Sequence, residues 1–141
     1  MALDELYQQV VLDHNRSPRH RQRLDAVTHQ ARGRDALCGD DILVELEVED
    51  GLVKTAGFSG EACAITTASA SMLMSWLAGR RVEEVEAGYG LFRNLLEDAD
   101  LPDAVELGPM NHLRAVAAYP ARVRNALLPW RTALRALSGE A

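Results

Sequence analysis

Cysteine is scarce in this sequence: only Cys38 and Cys63 occur among 141 residues. Two thiols cannot make a disulfide framework, and nothing around them supports a single bridge. Long apolar runs are missing as well. No segment approaches the ~18 consecutive apolar residues that a membrane span requires. The N-terminal stretch MALDELYQQVVLDHN has early acids and no apolar run of signal-peptide length. No membrane partner is expected, and the cytoplasm, where thiols stay reduced, is the expected compartment. Positive charge is not in excess. The net charge is −6 and the pI about 5.2, the opposite of the basic balance that marks general nucleic-acid binding. Repeats, linkers and low-complexity tracts are absent too.

What is present suits one folded unit. Apolar residues make up 48% of the chain, and a chain of this length buries a sound core without staples. A single domain over residues 1–141 is expected.

Periodicity divides the chain. Leu3, Leu6, Tyr7, Val10, Val11 and His14 recur at helical steps and predict a helix over 3–15. NRSPRHRQR (15–23) breaks that pattern with Pro18 and carries Arg16, Arg19, His20, Arg21 and Arg23. It reads either as a solvated loop or as a docking surface for an acidic partner. In ILVELEVE (42–49), Ile42, Val44, Leu46 and Val48 alternate with Glu45, Glu47 and Glu49, the pattern of a strand with one wet face. Asp50-Gly51 is a hairpin turn signal, and 52–59 is the partner strand.

After Gly60 the period changes. Residues 63–79 predict a helix with Ile65, Ala68, Met72, Leu73, Trp76 and Leu77 inward. Residues 82–98 predict one or two short helices, weakened by Gly88 and Gly90. Residues 99–109 read as loop, and 110–118 as another short helix. The last helix covers 119–137, with Pro120 suited to its first turn; Pro129 would remove one helix hydrogen bond and kink it if it lies inside. Helix, strands, then helices imply an α+β fold: a small antiparallel sheet with helices packed on one face.

The two cysteines flank the predicted hairpin, one before its first strand and one after its second. In an antiparallel hairpin those ends are neighbours, so a shared site is expected. In Cys38-Gly39-Asp40 the glycine allows a sharp turn that turns a thiol and a carboxylate toward one point. Cys63 lies where a strand hands over to a helix, whose N-terminus favours a thiolate. The bland alternative is two small buried apolar residues; spacing alone leaves both open.

Four stretches settle the comparison: LYQQVVLDHNRSPRH, CGDDILVELEVEDGLV, FSGEACAITTASASML and YPARVRNALLPW. In this order they resemble the U-type iron–sulfur cluster scaffold proteins over nearly the whole chain. The long segment 98–118 resembles the SufU branch. The resemblance implies an antiparallel sheet of about three strands, the third drawn from around residues 24–37. It implies a scaffold, or a zinc-dependent sulfurtransferase-type acceptor, that takes sulfur from a pyridoxal-phosphate cysteine desulfurase. It also implies handing product to downstream iron–sulfur assembly or acceptor proteins.

Carried over by position, Cys38, Asp40 and Cys63 match three family metal ligands, and Cys38 would accept the persulfide. Where the family has a third cysteine this chain has Asn125. An uncharged amide is a poor ligand beside a thiolate, so zinc is expected to be partial or absent. A transient iron–sulfur cluster would be harder to hold. Arg122, one helical turn before Asn125, is expected to line the site with it. The alternative is a non-catalytic homologue that docks a desulfurase without building clusters. His14, His20, His29 and His112 are further potential ligands that the sequence does not place.

Overall fold

The computed structural model describes residues 3–98 and 100–139, with side chains described from Gln8 onward. The order is α1 (Leu3–Arg16), β1 (His29–Asp35), β2 (Asp40–Glu49), β3 (Leu52–Glu61), α2 (Ala64–Leu77), α3 (Val82–Glu97), a 3₁₀ segment (Val105–Ala118) and α4 (Pro120–Ser138). The expected apolar positions Leu3, Leu6 and Tyr7 lie outside the described side chains.

The strands form an antiparallel meander in the order β1-β2-β3. The β2–β3 hairpin turns through Asp50 and Gly51, both at positive φ; that matches the twist of the flanking strands. Ile42, Val44 and Leu46 face the core, as their alternation requires. Glu45 departs from expectation: it is buried on the opposite face. The segment between α1 and β1 crosses that face. Arg23 donates to both Glu45 oxygens, at 2.8 and 3.2 Å, and the Leu24 N–H donates at 3.3 Å. The sheet face away from the helices is therefore partly covered.

The same contacts absorb most of the basic stretch. Arg19 pairs with Asp13 at 3.0 Å, Arg21 donates to the Gly60 carbonyl at 2.8 Å, and Arg23 holds Glu45. Three of its arginines are tied to the chain's own structure.

β1 is the third strand, within the 24–37 range. It alternates, but its inward residues are Ala31, Gly33 and Asp35, so it lacks the large apolar residues that advertise a strand. The reason is α4. A Cβ at Gly33 would stand 2.0 Å from Thr132 Oγ1; only a bare backbone lets the helix lie this close to β1.

α2 and α4 pack on the sheet and on each other, and α3, α1 and the 3₁₀ segment close the far side. Residues 82–97 form one uninterrupted helix rather than two, because Gly88 lies flush beneath the rings of Trp76 and Trp130. Trp130, Trp76, Tyr89 and Phe92 form a single aromatic cluster. α4 runs continuously through the buried Pro129. The short helix expected over 110–118 is a 3₁₀ segment that starts earlier, at Val105, within the expected loop, and is broken at Gly108.

Candidate thiol site

The β2–β3 register pairs Asp41 with Glu61, which sets Asp40 beside the chain as it leaves β3. Cys63 stands there as the N-cap residue of α2, in extended conformation. Its N–H donates to Asp40 Oδ1 at 2.8 Å. Cys38 comes from the turn joining β1 to β2. Gly39 supplies a φ of +72°, a left-handed conformation that other residues resist. That turn brings Cys38 back over Asp40.

α4 contributes the third side. Asn125 is fully buried, and its Nδ2 donates to Asp40 Oδ2 at 2.9 Å. Cys38 Sγ donates to Asn125 Oδ1 at 3.6 Å. Thr66, three residues into α2, donates to Asp40 Oδ2 at 2.6 Å and stands 3.3 Å from Cys63 Sγ. Its Oγ1 also lies 3.3 Å from the Asn125 carbonyl. Asp40, only 2% exposed, is the hub, and Cys38, Cys63, Asn125 and Thr66 surround it. Both thiols are half-buried and free.

Two arginines flank the hub on different sides. Arg122 lines an open pocket with Cys63, Ala64, Ile65 and Tyr119. Arg124 donates to Asp35 at 2.6 Å. Beside Arg124, the Asp35 carboxyl is held below its usual range, with the Leu37 N–H adding to the effect. Arg124 is raised in turn, by Asp35 first and by Cys38 to a lesser degree. Arg122 thus shares a pocket with Cys63, while Arg124 is bound at the turn that carries Cys38. Leu37, next to Cys38, is 81% exposed at the tip of the turn.

Sequence reasoning missed Thr66, Arg124 and Asp35. Thr66 had a signal: three residues after a helix N-cap lies the same turn of the helix. Arg124 had none, since its partner is 89 residues away. Two of the histidines bond elsewhere. His14 bonds Ser71 at 2.6 Å and His29 bonds Thr28 at 2.8 Å.

The donor set does not fit a closed zinc site. Such sites take four ligands, with thiolate bonds of about 2.3 Å. Here there are two thiols and one carboxylate whose oxygens already accept three hydrogen bonds. Among the described residues, no group of three or more His, Cys, Asp and Glu side chains is arranged to hold a metal ion.

Fold and site together define a small α+β protein that gathers two thiols and a buried carboxylate at one end of a β-meander. The chain belongs to the family of the NifU-like N terminal domain, the U-type iron–sulfur scaffold proteins, which it matches over residues 6–126. It is 31% identical over 139 residues to the zinc-dependent sulfurtransferase SufU of Bacillus subtilis (strain 168), covering 98% of this chain and 93% of that protein. It is 35% identical over 143 residues to the iron–sulfur cluster assembly scaffold protein IscU of Thermotoga maritima, covering 97% and 96%. Among solved structures, a hypothetical protein superposes with a TM-score of 0.87 at 30% identity, over 96% of this chain and 98% of that one. At the level of the family, the function is iron–sulfur cluster assembly.

Proposed function

We propose that this chain, as one domain, serves iron–sulfur cluster assembly as a sulfur acceptor and scaffold, with Cys38 as the accepting thiol and Cys63 as the second thiol. The observation that carries the reading is the network in which Cys38, Asp40, Cys63 and Asn125 meet at one end of the sheet. The similarity to a sulfurtransferase and to cluster scaffolds supports it. The donor is a pyridoxal-phosphate cysteine desulfurase, and the setting is the reducing cytoplasm. Among the described residues no helix is long and apolar enough to cross a membrane.

The transfer is a thiol–disulfide exchange. Cys38 sulfur attacks the outer sulfur of the donor's cysteine persulfide. A new S–S bond forms at Cys38, the donor's S–S bond breaks, and the proton leaving Cys38 passes to the departing donor thiolate. No net oxidation occurs. Arg124 is bound to Asp35, three residues before Cys38, and so places a cation on the turn that carries the attacking sulfur. Cys38 stands on an exposed turn, with Leu37 projecting to meet a partner surface. Asp40 and Thr66 hold the turn and α2 in register. Downstream acceptors then take the sulfur.

The test is incubation with a cysteine desulfurase and cysteine, followed by mass spectrometry of intact chain and peptides. One added sulfur on Cys38, absent in Cys38→Ser, is the expected result. A desulfurase that binds the chain but never loads Cys38 would refute the acceptor role. It would favour a non-catalytic docking homologue, a reading to which the replacement of a family thiol by Asn125 gives specific support.

A further inference from the structure

We infer that Asn125 is a metal-displacing bridge: its carboxamide joins Cys38 to Asp40 and makes the thiol site independent of zinc. The inference rests on the acceptor reading above and specifies how that site is held together.

Partner chemistry fixes the amide's orientation. The Asp40 carboxylate only accepts hydrogen bonds, so the NH2 end of Asn125 must face it. The amide oxygen therefore faces Cys38, and it is the thiol that donates. A neutral group with one donating and one accepting end links a carboxylate to a protonated thiol, without a cation between them.

Asp40 shows the same substitution of roles. A buried carboxylate needs compensation, either by a positive ion or by donors. Here the Cys63 N–H, the Thr66 hydroxyl and the Asn125 amide supply it at 2.8, 2.6 and 2.9 Å. Three of about four lone-pair positions on the carboxylate are filled by fixed groups of the protein. A zinc ion joining Cys38 and Asp40 would have to take up the bonds that Asn125 now makes. The amide, fully buried on α4, would then lose both partners, and a buried unsatisfied amide is costly. The ion would gain in exchange no fourth charged ligand.

Reactivity follows from this. Cys38 is restrained by one long S–H···O contact, a weak bond that sulfur addition breaks without removing a metal ligand. Its reaction with an electrophile is set by the turn and by exposure, and zinc leaves it unchanged.

The experiment follows alkylation of Cys38 by iodoacetamide in the full chain, read by peptide mass spectrometry, with excess zinc or with EDTA. For the unaltered chain the two rates are expected to agree within about twofold. In Asn125→Cys a third thiolate completes a family-type ligand set. There zinc is expected to slow alkylation by about tenfold or more, with EDTA restoring it. Asn125→Ser, a smaller change, covers the case in which the cysteine variant does not fold. It deletes the bridge and leaves room for an ion, and zinc should slow its Cys38 by about threefold or more.

Zinc protection of about tenfold in the unaltered chain would overturn the inference. So would zinc indifference in the folded variants, since the bridge would then not be what excludes the ion. Sulfur loading is a separate readout. If Cys38 never accepts sulfur but the zinc pattern holds, only the functional reading falls; if Cys38 loads but zinc protects it, only the bridge falls.

Discussion

Removing the Thr66 hydroxyl tests whether Asp40 is the hub that the geometry makes it. Thr66→Val is nearly isosteric, so it opens no cavity and leaves the helix backbone alone. It deletes the 2.6 Å bond to Asp40 Oδ2 and the 3.3 Å contacts to the Asn125 carbonyl and to Cys63 Sγ. A hydrogen bond to a charged group contributes about 1.5–3 kcal/mol net. Asp40 keeps its two other donors, so the lower half of that range applies, about 2 kcal/mol. For a chain of this size each kcal/mol moves the melting temperature by about 3 °C, giving a fall of about 6 °C.

Urea unfolding followed by far-ultraviolet circular dichroism measures the change, with an unchanged m-value required for the comparison. A double-mutant cycle with Asp40→Asn isolates the pair and should show coupling of about 1 kcal/mol or more. If Thr66→Val costs less than about 0.5 kcal/mol, the level of an ordinary surface change, Asp40 does not depend on this donor. The description of the site as a carboxylate-centred network would then be wrong.

Two other perturbations have expected outcomes. Gly33→Ala drives a methyl group into Thr132, whose Oγ1 would lie 2.0 Å away. It should destabilise the fold by about 1–3 kcal/mol as an overpacking defect, and Thr132→Ala should recover part of that loss in equilibrium unfolding; an additive double mutant would contradict the contact. Burial first, and then Arg19, lower the pKa of His14 in the folded chain. The unfolded chain therefore takes up the proton first as pH falls. His14's contribution to stability is complete above about pH 6.5, the unfolded value, and is lost as pH falls toward the folded one. Melting temperatures between about pH 8 and pH 6 should decline more steeply in the unaltered chain than in His14→Gln. Parallel slopes would show that His14 is not the group responsible.

Much of this protein could be read along its sequence. The alternation of 42–49, the Asp50-Gly51 turn and the change of period after Gly60 each belong to one stretch of chain, so each was legible there. The positions of Cys38 and Cys63 at the two ends of a hairpin followed from the same pattern, because antiparallel pairing makes those ends neighbours. What tertiary structure decided is everything that depends on a second element. β1 has small inward residues because α4 lies against it, and no pattern within His29–Asp35 carries that information. Glu45 alternates like an exposed residue, yet it is buried because Arg23 and Leu24 cross its face. Asn125 could be read as the loss of a ligand. Its role as a bridge depends on contacts to Cys38 and Asp40, 87 and 85 residues away. A side chain's own neighbours in sequence determine which face it occupies, but the group it meets there is set by packing.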